Sequence, residues 1–276
     1  MAIDCNKYQE IKVEKQDDVL LVTLNRPENG NPTAWTLIAE LNDIWKTVPE
    51  DDSVRALLLA GAGPDFSCMK GNVAIHPPLK QPHPLQNLEL AGEAIHGGGA
   101  YHMSTVKNLL DVPQPIVAAV QGRCTGLATT LVLFCDVIFV SEDAQISDPH
   151  ISRGMVPGDG GAVIWPLLVG PARAKQYLLT GDSLSGAEAE RIGLVNKVVP
   201  TAELKATALA FAKRLASGPP LAIRFTKHAI NQVLTHQIAI NWELSDALQV
   251  FSTQTEDNQE IRRAIAEKRP PHFTGR

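Results

Sequence analysis

Four short apolar segments in the first half of the chain constrain its fold more than any other feature. They are residues 19–24, 54–60, 115–120 and 136–141. Near-continuous apolar runs of this length are typical of strands buried on both faces of a parallel sheet. Segments with helical periodicity lie between them, as in residues 33–47 and 127–134. Strands that alternate with helices predict an α/β fold.

The last third of the chain has a different pattern, because helical apolar stripes follow one another without strands. The predicted helices are residues 171–180, 186–193, 201–216, 221–234, 238–254 and 257–268. The shift in composition near Pro200 predicts a division into two parts. Residues 1–200 would form the α/β core, and residues 201–276 a helical subdomain.

Charge and composition exclude several classes of partner. The chain has 25 Lys and Arg against 30 Asp and Glu, a net charge of −5 that argues against nucleic acid. No apolar run reaches the ~18 residues that span a bilayer, and the first residues lack a signal peptide pattern. The cysteines form no CxxC pair, which favours free thiols in a reducing compartment; they are Cys5, Cys68, Cys124 and Cys135. We expect a cytoplasmic protein that acts on a small molecule.

Residues 67–103 are the least regular stretch, rich in proline and glycine. They contain His76, His83, His96 and His102, at spacings of 7, 13 and 6 residues. These spacings match no common metal-ligand pattern. The sequence therefore predicts a mobile loop over a pocket and no metal site.

An ordered set of motifs resembles the crotonase superfamily, the enoyl-CoA hydratase/isomerase family. The motifs are residues 24–27, 53–68, 115–122, 134–136, 157–161, 178–181, 193–195, 255–257 and 267–273. They cover nearly the whole chain, and their order is more specific than any one of them. The resemblance implies a crotonase-like spiral of ββα units with a C-terminal helical subdomain for trimer packing. It also implies a homotrimer or a dimer of trimers.

The resemblance implies an oxyanion hole, formed by two backbone N–H groups that stabilise an enolate. By position these are the amides of Cys68 and Leu127. No cofactor is implied, although coenzyme A would be part of the substrate in such enzymes. Lys227, Lys268 and Phe273 are the candidates for contacts with coenzyme A.

Two departures separate this chain from the hydratases that it resembles. Thr130 and His150 stand where hydratases carry two glutamates. Hydration of a C=C bond needs one group to position water and another to deliver a proton. A threonine does neither at neutral pH, so the sequence disfavours ordinary hydration.

A second pair of residues suggests other chemistry. His150 and Asp159 are nine residues apart, and Asp159 lies in the glycine-rich segment 157–161. The segment resembles the branch that cleaves C–C bonds in cyclic β-diketones, 6-oxocamphor hydrolase and its relatives, where the matching pair is catalytic. A carboxylate beside an imidazole fixes its tautomer and raises its basicity. Trp35 stands where that branch has an aromatic pocket residue, and Thr130 would line the same pocket.

Three functions therefore remain open at this point. The first is hydrolytic C–C cleavage of a β-diketone or β-keto acyl-CoA, a retro-Claisen reaction, with water activated by His150 and Asp159. The second is an enoyl-CoA hydratase or isomerase with an altered site. The third is a catalytically inactive binding scaffold, because both glutamates are missing.

Overall fold

The computed structural model describes residues 3–70 and 98–276, which form nine named strands and eight α-helices. The strands are β1 (Ile11–Gln16), β2 (Val19–Leu24), β3 (Ala56–Gly61), β4 (Ile116–Val120), β5 (Arg123–Thr125), β6 (Val137–Ser141), β7 (Gln145–Ser147), β8 (Leu184–Ser185) and β9 (Lys197–Val199). The helices are α1 (Trp35–Thr47), α2 (Gly98–Asp111), α3 (Leu127–Leu133), α4 (Gly161–Thr180), α5 (Gly186–Arg191), α6 (Leu204–Ala216), α7 (Pro220–Thr253) and α8 (Glu256–Glu267).

The main sheet has six strands in the order β1-β2-β3-β4-β6-β9. Among the strands in residues 3–70 and 98–276, the β1–β2 pair of this sheet is antiparallel and its other neighbours are parallel. The four apolar segments form β2, β3, β4 and β6, and most of their residues are buried. The predicted α/β architecture is confirmed, and the apolar runs follow from burial of both sheet faces.

Each face of the main sheet has its own apolar layer. The larger layer contains most of the buried apolar residues and includes those of α1, α2 and α4. The other is closed by α6, whose Ala208, Ala212 and Ala216 are buried against the sheet. Small residues let this helix lie close to the strands.

The predicted division at residue 200 does not coincide with the packing. Helix α6 lies on the C-terminal side of that boundary, yet it closes the second face of the main sheet. Residues 204–216 thus belong to the core. The division into residues 1–200 and a helical subdomain of residues 201–276 otherwise stays a prediction.

Several predicted element boundaries are corrected by the structure. Helix α2 begins at Gly98, so the predicted irregular stretch does not extend to residue 103. The predicted helices 221–234 and 238–254 are one 34-residue helix, α7, because no breaker residue separates them. Helix α1 begins at Trp35, two residues after the predicted start of the helical segment 33–47.

A second, three-stranded sheet positions the site described below. Strand β5 pairs with β7 in parallel, and β7 pairs with β8 in antiparallel fashion. Ser67 forms an isolated parallel bridge with Cys124 of β5. Three chain segments therefore run side by side and end at the same edge.

All four cysteines lie in the described part of the chain and carry free thiols, as predicted. Within residues 3–70 and 98–276, no helix has both the length and the apolar character needed to cross a membrane.

Candidate active site

The site forms where β5 and β7 end together. Helix α3 follows β5, and residues 148–150 follow β7. The Gly126 N–H donates to the Ser147 carbonyl at 3.1 Å, and the Thr129 hydroxyl donates to the same carbonyl at 3.0 Å. These bonds hold the start of α3 against the end of β7. The glycine-rich turn before α4 completes the site.

Three side chains meet at the imidazole of His150. Its Nδ1 contacts Asp148 Oδ1 in a short hydrogen bond, and its Nε2 lies 3.5 Å from Asp159 Oδ2. The two carboxylates therefore face opposite edges of the ring. The predicted pair of His150 and Asp159 is brought together, although Asp159 is separated from His150 by a turn and a loop.

Asp148 is the residue that the sequence reasoning missed. Its side chain is 1% exposed, the least of the three. The signal in the sequence is an aspartate two residues before His150. In the 3-10 turn that begins at His150, this spacing places the carboxylate against Nδ1.

Thr130 was predicted to line the pocket, but its side chain has no exposed surface in the described chain. Its hydroxyl donates to Asp159 Oδ1 at 3.3 Å. By the resemblance described above, Thr130 stands where hydratases carry a glutamate. The carboxylate of Asp159, which comes from another part of the chain, lies beside this threonine. A carboxylate thus lies beside the threonine, which cannot itself act as an acid or a base at neutral pH.

The pKa values of His150 and Asp159 are both raised, for different reasons. Burial lowers the pKa of His150, but the charges of Asp159 and Asp148 outweigh it and raise that pKa to about 9. Burial raises the pKa of Asp159 to about 6, against the opposing charge of His150. At neutral pH an imidazolium thus lies between two carboxylates.

The turn that carries Asp159 depends on two glycines. Gly160 has a φ of 108°, in the region that favours glycine, and a Cβ there would overlap the Trp242 ring. A Cβ on Gly161 would overlap Asp148 Oδ2. The close approach of this turn to Asp148 and Trp242 therefore requires both glycines.

The two predicted oxyanion donors have different outcomes. Leu127 is the first residue of α3, and Gly126 provides no side-chain cap. Among residues 3–70 and 98–276, the Leu127 N–H has no acceptor, as expected for a first helical turn. The prediction for Cys68 is corrected, because its N–H donates to the Gly30 carbonyl at 2.7 Å.

The neighbouring segment contains another amide. Successive amides of an extended chain point to opposite sides. The Ser67 N–H donates to Arg123 of β5 at 3.0 Å, and the Cys68 N–H points away from β5. By this alternation the Met69 N–H lies on the β5 side, and it has no acceptor in the described part of the chain.

Of the three residues predicted to contact coenzyme A, Lys227 is the one whose surroundings argue against that role. Lys227 is 8% exposed, and its Nζ lies 2.7 Å from Asp136 Oδ2 and 2.9 Å from the Gln114 carbonyl. Since its charge is used inside the protein, the prediction that Lys227 binds coenzyme A is corrected. Lys268 and Phe273 are exposed near the C-terminus.

Trp35 and one histidine of the histidine-rich stretch lie in described helices. Trp35 is half-buried in the first turn of α1, and its role in a pocket stays a prediction. His76, His83 and His96 lie outside the described residues, whereas His102 lies in α2.

The cluster at His150 is poorly arranged for a metal ion. Asp148, His150 and Asp159 offer ligand atoms within 4.8 Å of one another. However, Nδ1 and Nε2 face different carboxylates. Each ring nitrogen is thus already paired with a carboxylate, and a metal ion at that nitrogen would displace this pairing. The arrangement suits proton transfer better.

Comparisons with known proteins match nearly the whole chain. The family model described as enoyl-CoA hydratase/isomerase matches residues 14–276. A crotonyl-CoA hydratase of Syntrophomonas wolfei is 32% identical, over 96% of this chain and 98% of that protein. A 1,2-epoxyphenylacetyl-CoA isomerase of Escherichia coli is 31% identical, over 94% and 95%.

A solved structure shows the same fold. The enoyl-CoA hydratase of Mycobacterium avium subsp. paratuberculosis superposes with a TM-score of 0.81 and 28% identity, over 97% of this chain and 99% of that one. The predicted crotonase-like fold with a C-terminal helical region is thereby confirmed.

Proposed function

Since the chain belongs to the enoyl-CoA hydratase/isomerase family, we propose that it acts on an acyl-CoA thioester as a hydratase or isomerase. His150 and Asp159 would be its acid–base pair. The observation that carries this proposal is the contact between Asp159 and Thr130. Through this contact the carboxylate of Asp159 lies beside Thr130, the position at which the hydratase pattern has a glutamate.

The charge states assign a role to each group in hydration. Asp159 is the carboxylate and takes a proton from water. The oxygen of that water bonds to the β-carbon of the enoyl thioester, and the C=C electrons move to the thioester oxygen as an enolate. The imidazolium of His150 then protonates the α-carbon, which yields a 3-hydroxyacyl-CoA.

The same pair can complete the cycle. After one turnover Asp159 is protonated and His150 is neutral. The proton returns from Asp159 Oδ2 to His150 Nε2 across their 3.5 Å contact. Isomerisation needs only one of these groups to move a proton between two carbons of the allylic system.

The enolate oxygen needs hydrogen-bond donors. The Leu127 N–H is one turn of α3 before Thr130, and Thr130 touches Asp159. The free amide and the acid–base pair are therefore close along one short helix. The Met69 N–H is the second donor in this proposal, in place of Cys68. Each such donor is worth about 3–4 kcal/mol in other enzymes.

The test is the reaction of crotonyl-CoA, followed by loss of its enoyl absorbance. Hydration removes the conjugated C=C bond, and we expect a rate that falls strongly in Asp159→Asn. An isomerase would leave this absorbance and instead exchange the α-proton with deuterium from D2O. Neither absorbance loss nor exchange at high enzyme concentration would overturn the proposal.

A second candidate is hydrolytic cleavage of a β-diketone or β-keto acyl-CoA. The contact of Asp148 with His150 Nδ1 favours it, because a carboxylate at that nitrogen strengthens a histidine base. The base takes a proton from water, the hydroxide adds to the ketone, and the C–C bond breaks to release an enolate. A panel of β-diketones and β-keto thioesters tests it.

The assembly belongs to the same proposal. Helix α7 buries one side against α2 and α4. Large apolar side chains remain exposed on an adjacent side: Val233, Ile240, Leu244, Leu248 and Phe251. Their spacing of mostly three or four residues places them on one helical face. A second copy of the chain would cover this face in a homotrimer or a dimer of trimers.

A further inference from the structure

Asp148 is buried in a way that its neighbours only partly satisfy. Its side chain is 1% exposed, and Oδ1 contacts His150 Nδ1. Oδ2 is buried and has no hydrogen-bond partner in the described part of the chain. A buried carboxylate is costly unless a charge or a hydrogen bond offsets the cost.

The surrounding chain makes room for this carboxylate. Gly161 lies against Oδ2 so closely that any Cβ there would overlap it. The glycine that follows the Asp159 turn therefore accommodates Asp148 as well. Gly161 thus lies between the Asp159 turn and the carboxylate of Asp148.

The contact also determines which ring nitrogen carries a proton. An ionised carboxylate only accepts, so the hydrogen bond requires a proton on Nδ1. In neutral His150 this leaves Nε2 as the unprotonated nitrogen, on the edge that faces Asp159. The proton that reaches the substrate or returns from Asp159 can then use only Nε2.

We propose that Asp148 is a positioning residue for the reaction, which holds His150 in the tautomer with its proton on Nδ1 and turns Nε2 toward Asp159. The assignment rests on the proposed function, because His150 acts as the acid there. Asp148 itself would not touch the substrate. Its role is similar to that of a carboxylate which orients a histidine in hydrolytic triads.

The charged groups around His150 agree with this role. Asp148 and Asp159 both favour the imidazolium, whereas Arg153 in the same 3-10 turn opposes it. Thr130 faces Asp159 and does not reach the ring edge at Nδ1. Asp148 is thus the group that acts on Nδ1.

The first experiment compares Asp148→Asn with Asp51→Asn. Asp51 is also a buried aspartate, but it accepts the N–H groups of Ile3 and Ser53, far from His150 in the chain. For Asp148→Asn we expect kcat to fall about 100-fold with KM changed less than threefold. The alkaline limb of its pH profile should move to lower pH. Asp51→Asn should lower Tm without moving that limb.

The outcome that overturns the proposal is an Asp148→Asn enzyme whose pH profile matches the wild type. If this variant does not fold, the wild-type protein still provides a test by 15N NMR of the His150 ring. Above the pH where His150 loses its charge, we expect a proton on Nδ1, and a proton on Nε2 would overturn the proposal. This measurement needs no substrate, so its result is independent of whether crotonyl-CoA is turned over.

Discussion

The hydroxyl of Thr130 donates to Asp159 Oδ1 at 3.3 Å, so residues 29 positions apart in the chain meet in one buried contact. Asp159 is 2% exposed, and its carboxylate lies between this hydroxyl and His150. The relationship matters because Thr130 alone suggests a disabled hydratase. Together with Asp159 it is the basis of the proposed hydratase-like site, whose carboxylate comes from a different turn.

The pH dependence should distinguish the two candidate reactions. Hydration uses ionised Asp159 and protonated His150. Activity should therefore rise as the pH passes up through about 6 and fall as it passes about 9. A reaction that uses neutral His150 as its base would keep rising through about 9. The measurement is kcat/KM against pH, over the pH range in which the enzyme stays folded.

Moving the carboxylate should transfer its function. Asp159→Ala removes the group beside Thr130. A second change, Thr130→Glu, places a carboxylate at the position that hydratases use. We expect the single variant to lose about 100-fold or more in kcat for crotonyl-CoA, and the double variant to recover at least tenfold. Thr130→Val combined with Asp159→Ala is the matched control and should recover nothing.

Lys227 should matter for stability and not for coenzyme A. Its Nζ pairs with Asp136 inside the protein, so Lys227→Met leaves a partly buried carboxylate without its partner. We expect a loss of about 3 kcal/mol in the free energy of unfolding, with KM for the thioester unchanged. Denaturant unfolding and steady-state kinetics measure both.

Lys268→Met is the contrast to this variant, because Lys268 is exposed. If it contacts coenzyme A, KM should rise about tenfold while stability stays within about 0.5 kcal/mol of the wild type. A KM effect of Lys227→Met at full stability would contradict this account of the two lysines.

The exposed face of α7 should control assembly. Phe251 is 70% exposed and Leu244 60% exposed. Leu244→Glu with Phe251→Glu places two charges where a second copy is expected to pack. We expect the oligomer to dissociate toward the monomer in sedimentation velocity. Leu179→Glu changes an equally exposed leucine on α4 and should leave the assembly unchanged.

Much of the fold could be predicted from the sequence, because burial on both faces of a sheet leaves a direct trace. The runs at residues 19–24 and 115–120 became β2 and β4 with nearly the same bounds. Strands of two or three residues, such as β8 and β9, carry too short a pattern to be recognised. The sequence predicts two helices in place of α7, because polar residues interrupt the apolar stripe. In the structure the buried side of this one helix continues through Ile238 and Trp242.

The site was only partly predictable. Pattern and resemblance identified His150 and Asp159, but not which nitrogen each carboxylate faces. Asp148 and the Thr130–Asp159 contact depend on how β5, β7 and the turn before α4 meet in space. The availability of backbone amides is equally a matter of tertiary structure. The Cys68 N–H donates to the Gly30 carbonyl, and the sequence does not indicate this hydrogen bond.

The most direct test of the central claim is the rate of enoyl absorbance loss from crotonyl-CoA, measured near pH 7.5 for the wild type and Asp159→Asn. The account predicts measurable hydration by the wild type and a rate at least about 100-fold lower in the variant. Equal rates in the two proteins would contradict it, because Asp159 would then have no part in moving the proton of water.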